Sequence, residues 1–527
     1  MPTLINRARI TLFYTSDIHG HVMPIVYGTN EEADLGLAKY ATVIQQKRKI
    51  NEHVIVIDNG DLIQGTPLMT HYVKEHSEQE NPMIKIMNDI GADAGVIGNH
   101  EFNFGQKILL DAVHQSDYPW LSANLLDAKT GAPYFGKPYM IKTFSNGIRV
   151  AIVGVTTHYI PNWESSEHVQ GIHFKDAYTT LEYWVQKIHK KESPHVFIAA
   201  YHGGFERDLV TGEPTEMLTG ENQGYKMAQN IEGIDVLLTG HQHRVLTGRV
   251  GDCLVIQPGY NGETYGEIEI ELKRKKASWA IENVEARVHT LKGVQADANV
   301  LQYIDDLEKS TQNWLDQPIG RIEGDMTIKN PFEVRTNKHP FIEFIQKVQM
   351  EASGVDISVT ALLHNESTGF ASRVTMRDIV SNYIYPNTLV VLSLTGKDIQ
   401  NALEKSAMYF VLNDEGEISI NPSYISPKPQ HYNYDMWEGI EYTINVSNPF
   451  GERVEEIYYQ GKPIEMDRSY HVVLNSYRAT GGGDFEMFKN KPVVKEIQRD
   501  MVELISDYFN KYKTIQATTT KNFTIKA

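Results

Sequence analysis

Short apolar runs alternate with amphipathic segments through the first half of the chain. Six runs have the length and composition of buried strands: RITLFYT, HVIVID, AGVIG, RVAIVGV, HVFIAAY and IDVLLTG. Between them, residues 82–91 and 175–191 place apolar side chains at helical spacing, and Asn146-Gly147 separates two strand-like runs as a hairpin turn does. Strands that alternate with helices predict an α/β layered domain, and residues 244–275 predict strands only.

The pattern changes near residue 294. Residues 294–317 place Val300, Ile304 and Leu307 at helical spacing before Pro318. We predict a first domain over residues 1–293, a joining helix over 294–317 and a second domain over 318–527. Alternatively, the helix is the last one of the first domain.

The second half mixes predicted helices with hairpin-like neighbouring strands, which predicts an α+β domain. The helices are expected over 339–354, 375–382, 397–410 and 494–512. Apolar runs at 356–362, 388–396, 439–447, 453–461 and 469–477 predict strands. Residues 413–437 predict a long loop of the kind that is often functional.

Composition narrows the possible partners and locations. Lys and Arg number 50 and Asp and Glu 67, so the formal net charge is −17, which argues against nucleic-acid polymers and anionic membranes as partners. Cys253 is the single cysteine, so a disulfide framework or a cysteine-based metal site is not expected. No apolar run approaches a membrane span or the core of a signal peptide. We predict a cytoplasmic protein with no implied protein partner; a secreted origin with a removed leader is the alternative.

Five predicted strands end in residues whose side chains are of the types that commonly bind metal ions. These are Asp17 and His19, then Asp58, Asn59 and Asp61, then Asn99, His100 and Glu101, then His202, and finally His241 and His243. Each group alone has an ordinary explanation, such as a helix cap for Asp61 or a turn for His202. Ligands in α/β sheets sit at the carboxyl ends of strands, so the whole set predicts one shared metal site.

The residue types indicate which metals bind. Imidazole, carboxylate and amide oxygen suit Mn, Zn, Fe, Co or Ni rather than Ca or Mg alone. The ligands outnumber those that one ion needs, and two ions roughly 3.5–4 Å apart are the arrangement used for phosphoryl hydrolysis. We therefore expect two divalent ions, with Mn or Zn favoured and Fe, Co and Ni as alternatives.

The segments DIHGH, GDLIQG, GNHEFNFG, YHGG and GHQH resemble the motifs of the calcineurin-like metallophosphoesterases, and the second half resembles the substrate-binding domain of the 5′-nucleotidase family. The resemblance implies a four-layer α/β/β/α sandwich followed by an α+β substrate-binding domain. It also implies that His100 is the catalytic histidine that contacts the phosphate. The implied ligands are Asp17, His19, Asp61 and His243 for one metal, and Asp61, Asn99, His202 and His241 for the other.

The chain departs from the 5′-nucleotidase pattern beside His100. Asn103 stands where 5′-nucleotidases carry the aspartate that orients the catalytic histidine. The EFN form resembles the branch that hydrolyses 2′,3′-cyclic nucleotides and 3′-nucleotides. An amide oxygen can orient the ring, but it cannot stabilise an imidazolium as a carboxylate would.

Aromatic residues of the second half match the positions that stack the nucleotide base. The two aromatic positions of the family are matched by Tyr385, which is followed by Asn387, and by Tyr477. Both are tyrosines, as in the cyclic-phosphodiesterase branch. Alternatively, the tyrosines only pack in the core and Asn387 only braces the turn at Pro386. The glycine-rich loop aligns Gly483 where 5′-nucleotidases carry an aspartate, with Asp484 next to it.

We therefore predict a metal-dependent phosphoester hydrolase that acts on nucleotides and prefers 2′,3′-cyclic nucleotides and 3′-nucleotides. His100 and Asn103 are the expected catalytic residues. The substrate would contact Asn99, His100, Tyr385, Asn387 and Tyr477. The alternatives are a 5′-nucleotidase or nucleotide-sugar (UDP-sugar) hydrolase, and a metal-binding module that recognises nucleotides without turnover.

Overall fold

The computed structural model describes residues 7–162, 164–216, 218–275, 278–385, 387–426, 429–497 and 499–527. The chain forms two compact units, Met1–Thr311 and Gln312–Ala527. The boundary falls within the helix Ala298–Leu315. The division at 293 and 318, with a linker between, stays a prediction.

Two six-stranded sheets form the centre of the first unit. In spatial order, the first sheet contains Ser278–Thr290, Thr264–Lys275, Arg7–Thr15, Val54–Asp58, Ala94–Val96 and Trp120–Leu121. The second contains Val245–Val250, Cys253–Pro258, Val236–Leu238, Val196–His202, Arg149–Thr156 and Tyr139–Thr143. All six predicted strands are present, and the hairpin at Asn146-Gly147 joins two antiparallel strands.

Side chains alternate between two apolar cores because strand residues point to opposite faces in turn. Val150 and Ile152 lie in the core between the two sheets. Ala151 and Val153 lie on the outer face of the second sheet and pack with the helix Ala177–Glu192. That helix begins at Asp176, whose carboxylate accepts the backbone N–H of Thr179 at 2.8 Å.

Helices also cover the first sheet. Tyr40 of the helix Leu37–Ile50 packs against Tyr265 of the sheet, with ring centroids 5.7 Å apart. The predicted α/β/β/α sandwich is therefore confirmed. The helices of this unit are Leu37–Ile50, Pro67–His71, Pro82–Asp89, Gly105–Gln115, Ala177–Glu192, Gly224–Asn230 and the shared Ala298–Leu315, with a π-helix at Tyr72–His76 and 3₁₀ turns at His100–Phe102 and Ile160–Asn162. Short strand pairs join Ile25–Val26 to Glu31–Glu32 and Leu125–Asp127 to Ile172–Phe174.

The second unit is α+β, as predicted. A mixed sheet orders Asp435–Glu438, Ser358–Ala361, Ser469–Asn475, Leu389–Thr395 and Val493–Ile497. A second sheet orders Lys462–Pro463, Val454–Tyr459, Ile440–Asn445 and Phe523–Lys526, and a third orders Arg373–Thr375, Pro318–Glu323 and Thr514–Gln516. Short pairs join Met326–Thr327 to Gly369–Phe370 and Phe410–Leu412 to Ile418–Ile420. The helices are Pro331–Thr336, Pro340–Ser353, Met376–Asn382, Gly396–Ala407, Ser476–Ala479 and Met501–Tyr512, with 3₁₀ turns at Pro422–Tyr424, His431–Asn433 and Glu486–Phe488.

Three local predictions in this unit were wrong. The predicted helix over 494–512 begins only at Met501, because Val493–Ile497 pairs with Leu389–Thr395 as a strand and Asp500 caps the helix. The predicted helix over 397–410 ends at Ala407, since Phe410 already pairs with Ile420. The same hairpin and two 3₁₀ turns occupy much of the expected loop 413–437.

Among the described residues, no helix is both long enough and apolar enough to cross a membrane. The predicted cytoplasmic location stays a prediction.

Candidate metal centre

The carboxyl ends of parallel strands bring the predicted site residues of the first unit together. Arg7–Thr15, Val54–Asp58 and Ala94–Val96 are parallel neighbours in one sheet, and Val196–His202 and Val236–Leu238 are parallel neighbours in the other. The loops after these strands are joined by backbone hydrogen bonds. The N–H groups of Asp17 and His19 donate to the carbonyls of Gly60 and Asp61 at 2.9 and 2.8 Å.

Five of the seven predicted ligands have left-handed backbone conformations. Their φ angles lie between 52° and 69°, and the residues are Asp17, His19, Asp61, His241 and His243. Non-glycine residues rarely adopt such angles, and residues held in sparsely populated conformations cluster at functional sites. The backbone of these loops is therefore strained at the residues whose side chains form the site.

One group of side chains contains Asp17, His19 and His243. Their ligand atoms all lie within 4.8 Å of one another. Nε2 of His19 is 3.0 Å from Nε2 of His243, which in turn is 3.6 Å from Oδ1 of Asp17. The His243 ring also stacks on Tyr260, with centroids 4.7 Å apart.

A second group contains Asp61, His202 and His241, again within 4.8 Å. Nε2 of His202 is 3.2 Å from Oδ2 of Asp61. Oδ1 of Asn99 lies 3.1 Å from Nε2 of His202 and 2.8 Å from Nδ1 of His241. A ligand atom of Asp61 also lies within 4.8 Å of one on His19 of the first group, so its carboxylate lies where it could serve both groups.

Backbone carbonyls hold the outer ring nitrogens of two histidines. Nδ1 of His19 faces the carbonyl of Gln64 at 3.2 Å, and Nδ1 of His202 faces the carbonyl of Asn59 at 2.7 Å. A carbonyl only accepts, so each Nδ1 carries a proton, and each Nε2, which faces the group, can bind a metal ion when the ring is neutral. This donation from the outward nitrogen to an acceptor is the usual pattern of histidines that bind metals.

Nε2 of His241 repeats the pattern with a carboxylate. It lies 2.9 Å from Oε1 of Glu221, which leaves the Nδ1 lone pair beside Asn99. With His243, the site thus offers ring nitrogens from four imidazoles and oxygen atoms from two carboxylates and one amide.

Burial makes this donor set costly without a cation. Asp17 and Asp61 are 0% and 1% exposed, and buried carboxylates need a positive partner. Burial, and then the nearby His100, lowers the pKa of His19 to about 3, which keeps this imidazole neutral, as a metal ligand must be. The residues present therefore fit divalent metal ions.

His100 lies beside both groups at the start of a 3₁₀ turn. Its backbone N–H donates to Oδ1 of Asp61 at 2.7 Å, and its ring meets the edge of the His19 ring at 5.0 Å. Nδ1 of His100 is 2.6 Å from Oδ1 of Asn103. A ring nitrogen of His100 also lies within 4.8 Å of ligand atoms of Asp61 and His19, so its role as a catalytic group rather than a ligand stays a prediction.

Two carboxylates of the site, Glu164 and Glu221, were missed by the sequence analysis, and Glu101 was predicted at the site without a role of its own. Glu101 accepts backbone N–H groups of Asp61, Leu62 and Gly98 at 2.6–2.8 Å and so fixes the loop that carries Asp61. It belongs to the GNHE segment, which was a usable signal. Glu164 and Glu221 lie in irregular segments with no motif, and their partners are distant in sequence.

The predicted base-binding residues lie in the second unit, where two inner strands of its mixed sheet end. Tyr385 precedes the strand Leu389–Thr395, and Tyr477 follows the antiparallel strand Ser469–Asn475, with Leu389 opposite Asn475. The ring of Tyr385 meets Tyr432 edge-on at 6.3 Å. The guanidinium of Arg478 lies 5.7 Å from the Tyr477 ring centroid.

Asn387 is tied into the turn before that sheet by its backbone. Its N–H donates to the carbonyl of Tyr385 at 2.8 Å, and its carbonyl accepts the N–H of Met501 at 3.1 Å. Pro386 lies outside the described residues. The expected roles of Tyr385, Asn387 and Tyr477 in base binding stay predictions.

Comparison with known proteins identifies the family of this fold and site. Residues 10–245 match the calcineurin-like phosphoesterases, and residues 318–490 match the 5′-nucleotidase C-terminal domain. A crystal structure from Staphylococcus aureus, provisionally named a 5′-nucleotidase and solved with α-ketoglutarate, is 34% identical, with a TM-score of 0.89 over 99% of this chain and 100% of that one. The chain belongs to the calcineurin-like phosphoesterases with a 5′-nucleotidase C-terminal domain.

Two relatives illustrate the activities named within this family. The 2′,3′-cyclic-nucleotide 2′-phosphodiesterase/3′-nucleotidase of Yersinia enterocolitica is 26% identical over 89% of this chain and 80% of its own length. The trifunctional nucleotide phosphoesterase protein YfkN of Bacillus subtilis is 26% identical over 98% of this chain. This chain spans only 39% of the length of that Bacillus protein.

Family membership confirms the prediction of a metal-dependent phosphoester hydrolase. Calcineurin-like phosphoesterases with this C-terminal domain use divalent metal ions and act on small-molecule nucleotides. The number and identity of the ions, the preferred nucleotide and the expected lack of other partners stay predictions.

Proposed function

We propose that this protein hydrolyses phosphate esters of nucleotides with two divalent metal ions and prefers 2′,3′-cyclic nucleotides and 3′-nucleotides. The observation that supports the metal part is the hydrogen-bond pattern of His19, His202 and His241. Each directs one ring nitrogen into the buried donor set while an acceptor holds its outer nitrogen.

The two ions would have separate ligand sets that share Asp61. The first set is Asp17, His19, Asp61 and His243, and the second is Asp61, Asn99, His202 and His241. Mn or Zn is proposed, with Fe, Co and Ni as alternatives, because the donor set mixes imidazole and oxygen. When bound, such ions act as Lewis acids that activate water and neutralise charge on phosphate oxygens.

His100 is proposed to contact the phosphate and to stabilise charge that develops on its oxygen atoms. Donors aimed at developing charge supply a large share of catalysis in many enzymes. Nδ1 of His100 faces Asn103, so Nε2 is the nitrogen left for the substrate. Asn103 holds the ring in this orientation, and Asn99 is proposed to contact the substrate as well.

The phosphate position is argued from the residue beside His100. Asn103 is the amide found in the cyclic-phosphodiesterase pattern, where a 5′-nucleotidase carries an aspartate. Tyr385, Asn387 and Tyr477 are proposed to bind the base. The relative from Yersinia, named a cyclic phosphodiesterase and 3′-nucleotidase, supports this choice.

A 5′-nucleotidase or nucleotide-sugar hydrolase is the second candidate. It is favoured by the Staphylococcus structure, which carries a 5′-nucleotidase name at 34% identity over nearly the full chain. The two candidates share the metal centre and differ only in substrate.

The test compares kcat/KM for 2′,3′-cyclic AMP, 3′-AMP and 5′-AMP at one concentration of Mn²⁺, with EDTA-treated enzyme as the control. We expect the first two substrates to exceed 5′-AMP roughly tenfold or more, because misplacing the reacting group by near 1 Å costs about 10²-fold. A 5′-AMP value ten times above both others would select the second candidate. Hydrolysis that EDTA leaves unchanged would contradict the metal mechanism itself.

A further inference from the structure

We propose that Glu164 is a positioning residue that orients the Asn103 amide and, through it, the imidazole of His100. This inference rests on the proposed function, since it concerns the histidine placed there against the phosphate. Glu164 lies in the irregular segment after the 3₁₀ turn Ile160–Asn162, 61 residues from Asn103.

The hydrogen bonds form one continuous chain. Nδ1 of His100 is 2.6 Å from Oδ1 of Asn103, and Nδ2 of Asn103 donates to Oε2 of Glu164 at 2.6 Å. The other carboxylate oxygen, Oε1, lies 2.8 Å from Nδ1 of His168 and accepts the N–H of Ser165 at 2.9 Å. Both oxygens of Glu164 are therefore held.

The direction of these bonds follows from chemistry. An ionised carboxylate only accepts, so Asn103 must turn its NH₂ group toward Glu164 and its oxygen toward His100. That oxygen in turn accepts a hydrogen bond from the Nδ1–H group of His100, which fixes one tautomer of the ring. A flipped amide would set its oxygen against the carboxylate and its NH₂ group against the ring. Glu164 thereby removes the rotational ambiguity that an asparagine has and an aspartate lacks.

The environment favours a fixed position for the carboxylate. The Glu164 side chain is 10% exposed and the His168 side chain is 32% exposed. The hydrogen bond that His168 donates to Glu164 raises the pKa of His168, which favours a protonated ring beside the carboxylate. The next part of the segment is also anchored, because Nε2 of Gln106 donates to the carbonyl of Gln170 at 2.8 Å.

The Glu164 carboxylate is thus separated from the His100 imidazole by two hydrogen bonds, with the Asn103 amide between them. A 5′-nucleotidase pattern would put that charge one bond away, on the residue at position 103. The arrangement predicts that the two groups can exchange roles, with the carboxylate moved to position 103 and the amide to position 164.

The experiment measures kcat and KM with p-nitrophenyl phosphate and with 2′,3′-cyclic AMP for Glu164→Ala, Glu164→Gln, Asn103→Asp and the double variant Asn103→Asp/Glu164→Gln. Glu167→Gln is the matched control, since Glu167 is an exposed carboxylate in the same segment. Metal content and Tm are measured for every variant.

We expect Glu164→Ala to lower kcat roughly 10- to 100-fold on both substrates while KM changes much less, since a displaced catalytic group affects the transition state. Asn103→Asp alone sets the new carboxylate against that of Glu164, and its kcat should fall by at least as much. The double variant restores a donor between positions 164 and 103, so its kcat should rise about tenfold or more above that of Asn103→Asp. Glu167→Gln should match the wild type.

A kcat within twofold of wild type for both Glu164 variants would overturn the inference. The inference would also be overturned if the kcat of the double variant did not exceed that of Asn103→Asp, provided that Glu164→Gln alone keeps the Tm and metal content of the wild type. A wild type without chelator-sensitive hydrolysis of either substrate would instead contradict the proposed function.

Discussion

At the scale of single residues, the metal centre depends on what each side chain does with its second polar atom. His19 and His202 give their outer N–H groups to backbone carbonyls, and His241 faces the carboxylate of Glu221. The inner ring nitrogens thereby face the cluster that contains Asp17 and Asp61. The same side chains on flexible loops would have many other hydrogen-bonding choices.

The first prediction concerns Asp61, whose carboxylate lies within 4.8 Å of ligand atoms of both groups. Asp61→Ala should lose both ions or nearly so, because two cations would then repel each other with a ligand missing. Elemental analysis of the purified variant is the measurement. Asp111→Ala, on the exposed side of the helix Gly105–Gln115, is the control and should keep its metal. Two tightly held equivalents in Asp61→Ala would refute the shared role.

The second prediction concerns His100. His100→Ala should keep its metal and lose roughly 10²–10⁴-fold in kcat, the range for removing a positioned acid, base or transition-state donor. Steady-state kinetics and elemental analysis together provide the test, with the exposed His114→Ala as control. Loss of metal would instead make His100 a ligand, and normal turnover would remove it from catalysis.

At the scale of elements, the loops after the parallel strands must pack closely to bring their side chains together. A Cβ on Gly98 would lie 2.3 Å from Oδ1 of Asp61 and 2.4 Å from its backbone nitrogen. A Cβ on Gly65 would lie 2.5 Å from Cβ of His19. These glycines are needed because neighbouring loops touch there, with no room for any side chain.

The third prediction therefore concerns Gly98→Ala. The added methyl group must push the Asp61 loop aside, and a shift near 1 Å costs about 10²-fold in activity. We expect this loss in kcat/KM for p-nitrophenyl phosphate together with weaker metal retention. Gly131→Ala is the control, because its φ of 69° adds backbone strain while nothing lies within 4 Å of its Cβ position, so no neighbouring loop is displaced. Equal activity of the two variants would contradict the packing argument.

Element types followed from the sequence wherever an apolar run stood between polar turns. The strands that end at His202 or just before Asp17 and Asp61 were predictable, because parallel sheets bury both faces of such apolar runs. The strand Val493–Ile497 was not predictable, since its pattern suits a helix equally well and only pairing with Leu389–Thr395 decides. Glu164 and Glu221 escaped prediction because their partners approach only in the folded loops.

At the scale of the whole molecule, the residues named in the proposed function divide between the two units. The first unit contains every predicted metal ligand. The second contains Tyr385 and Tyr477, which flank the paired ends of two antiparallel strands. The chemistry is thus assigned to one unit and recognition of the base to the other.

The fourth prediction separates these two tasks. Tyr385→Ala and Tyr477→Ala should each weaken hydrolysis of 2′,3′-cyclic AMP, because base–aromatic stacking contributes about 1–3 kcal/mol. Hydrolysis of p-nitrophenyl phosphate, which has no base, should be spared. Tyr512→Ala, 43% exposed in the same unit, is the control. Equal loss on both substrates would indicate damage to the fold rather than loss of stacking.

The most direct test of the proposed two-metal centre is anomalous diffraction from crystals grown with Mn²⁺. We predict two peaks roughly 3.5–4 Å apart, the usual spacing of two-metal sites. One peak should lie beside Asp17, His19 and His243 and the other beside Asn99, His202 and His241, with Asp61 between them. A single peak, or peaks away from these side chains, would contradict the account.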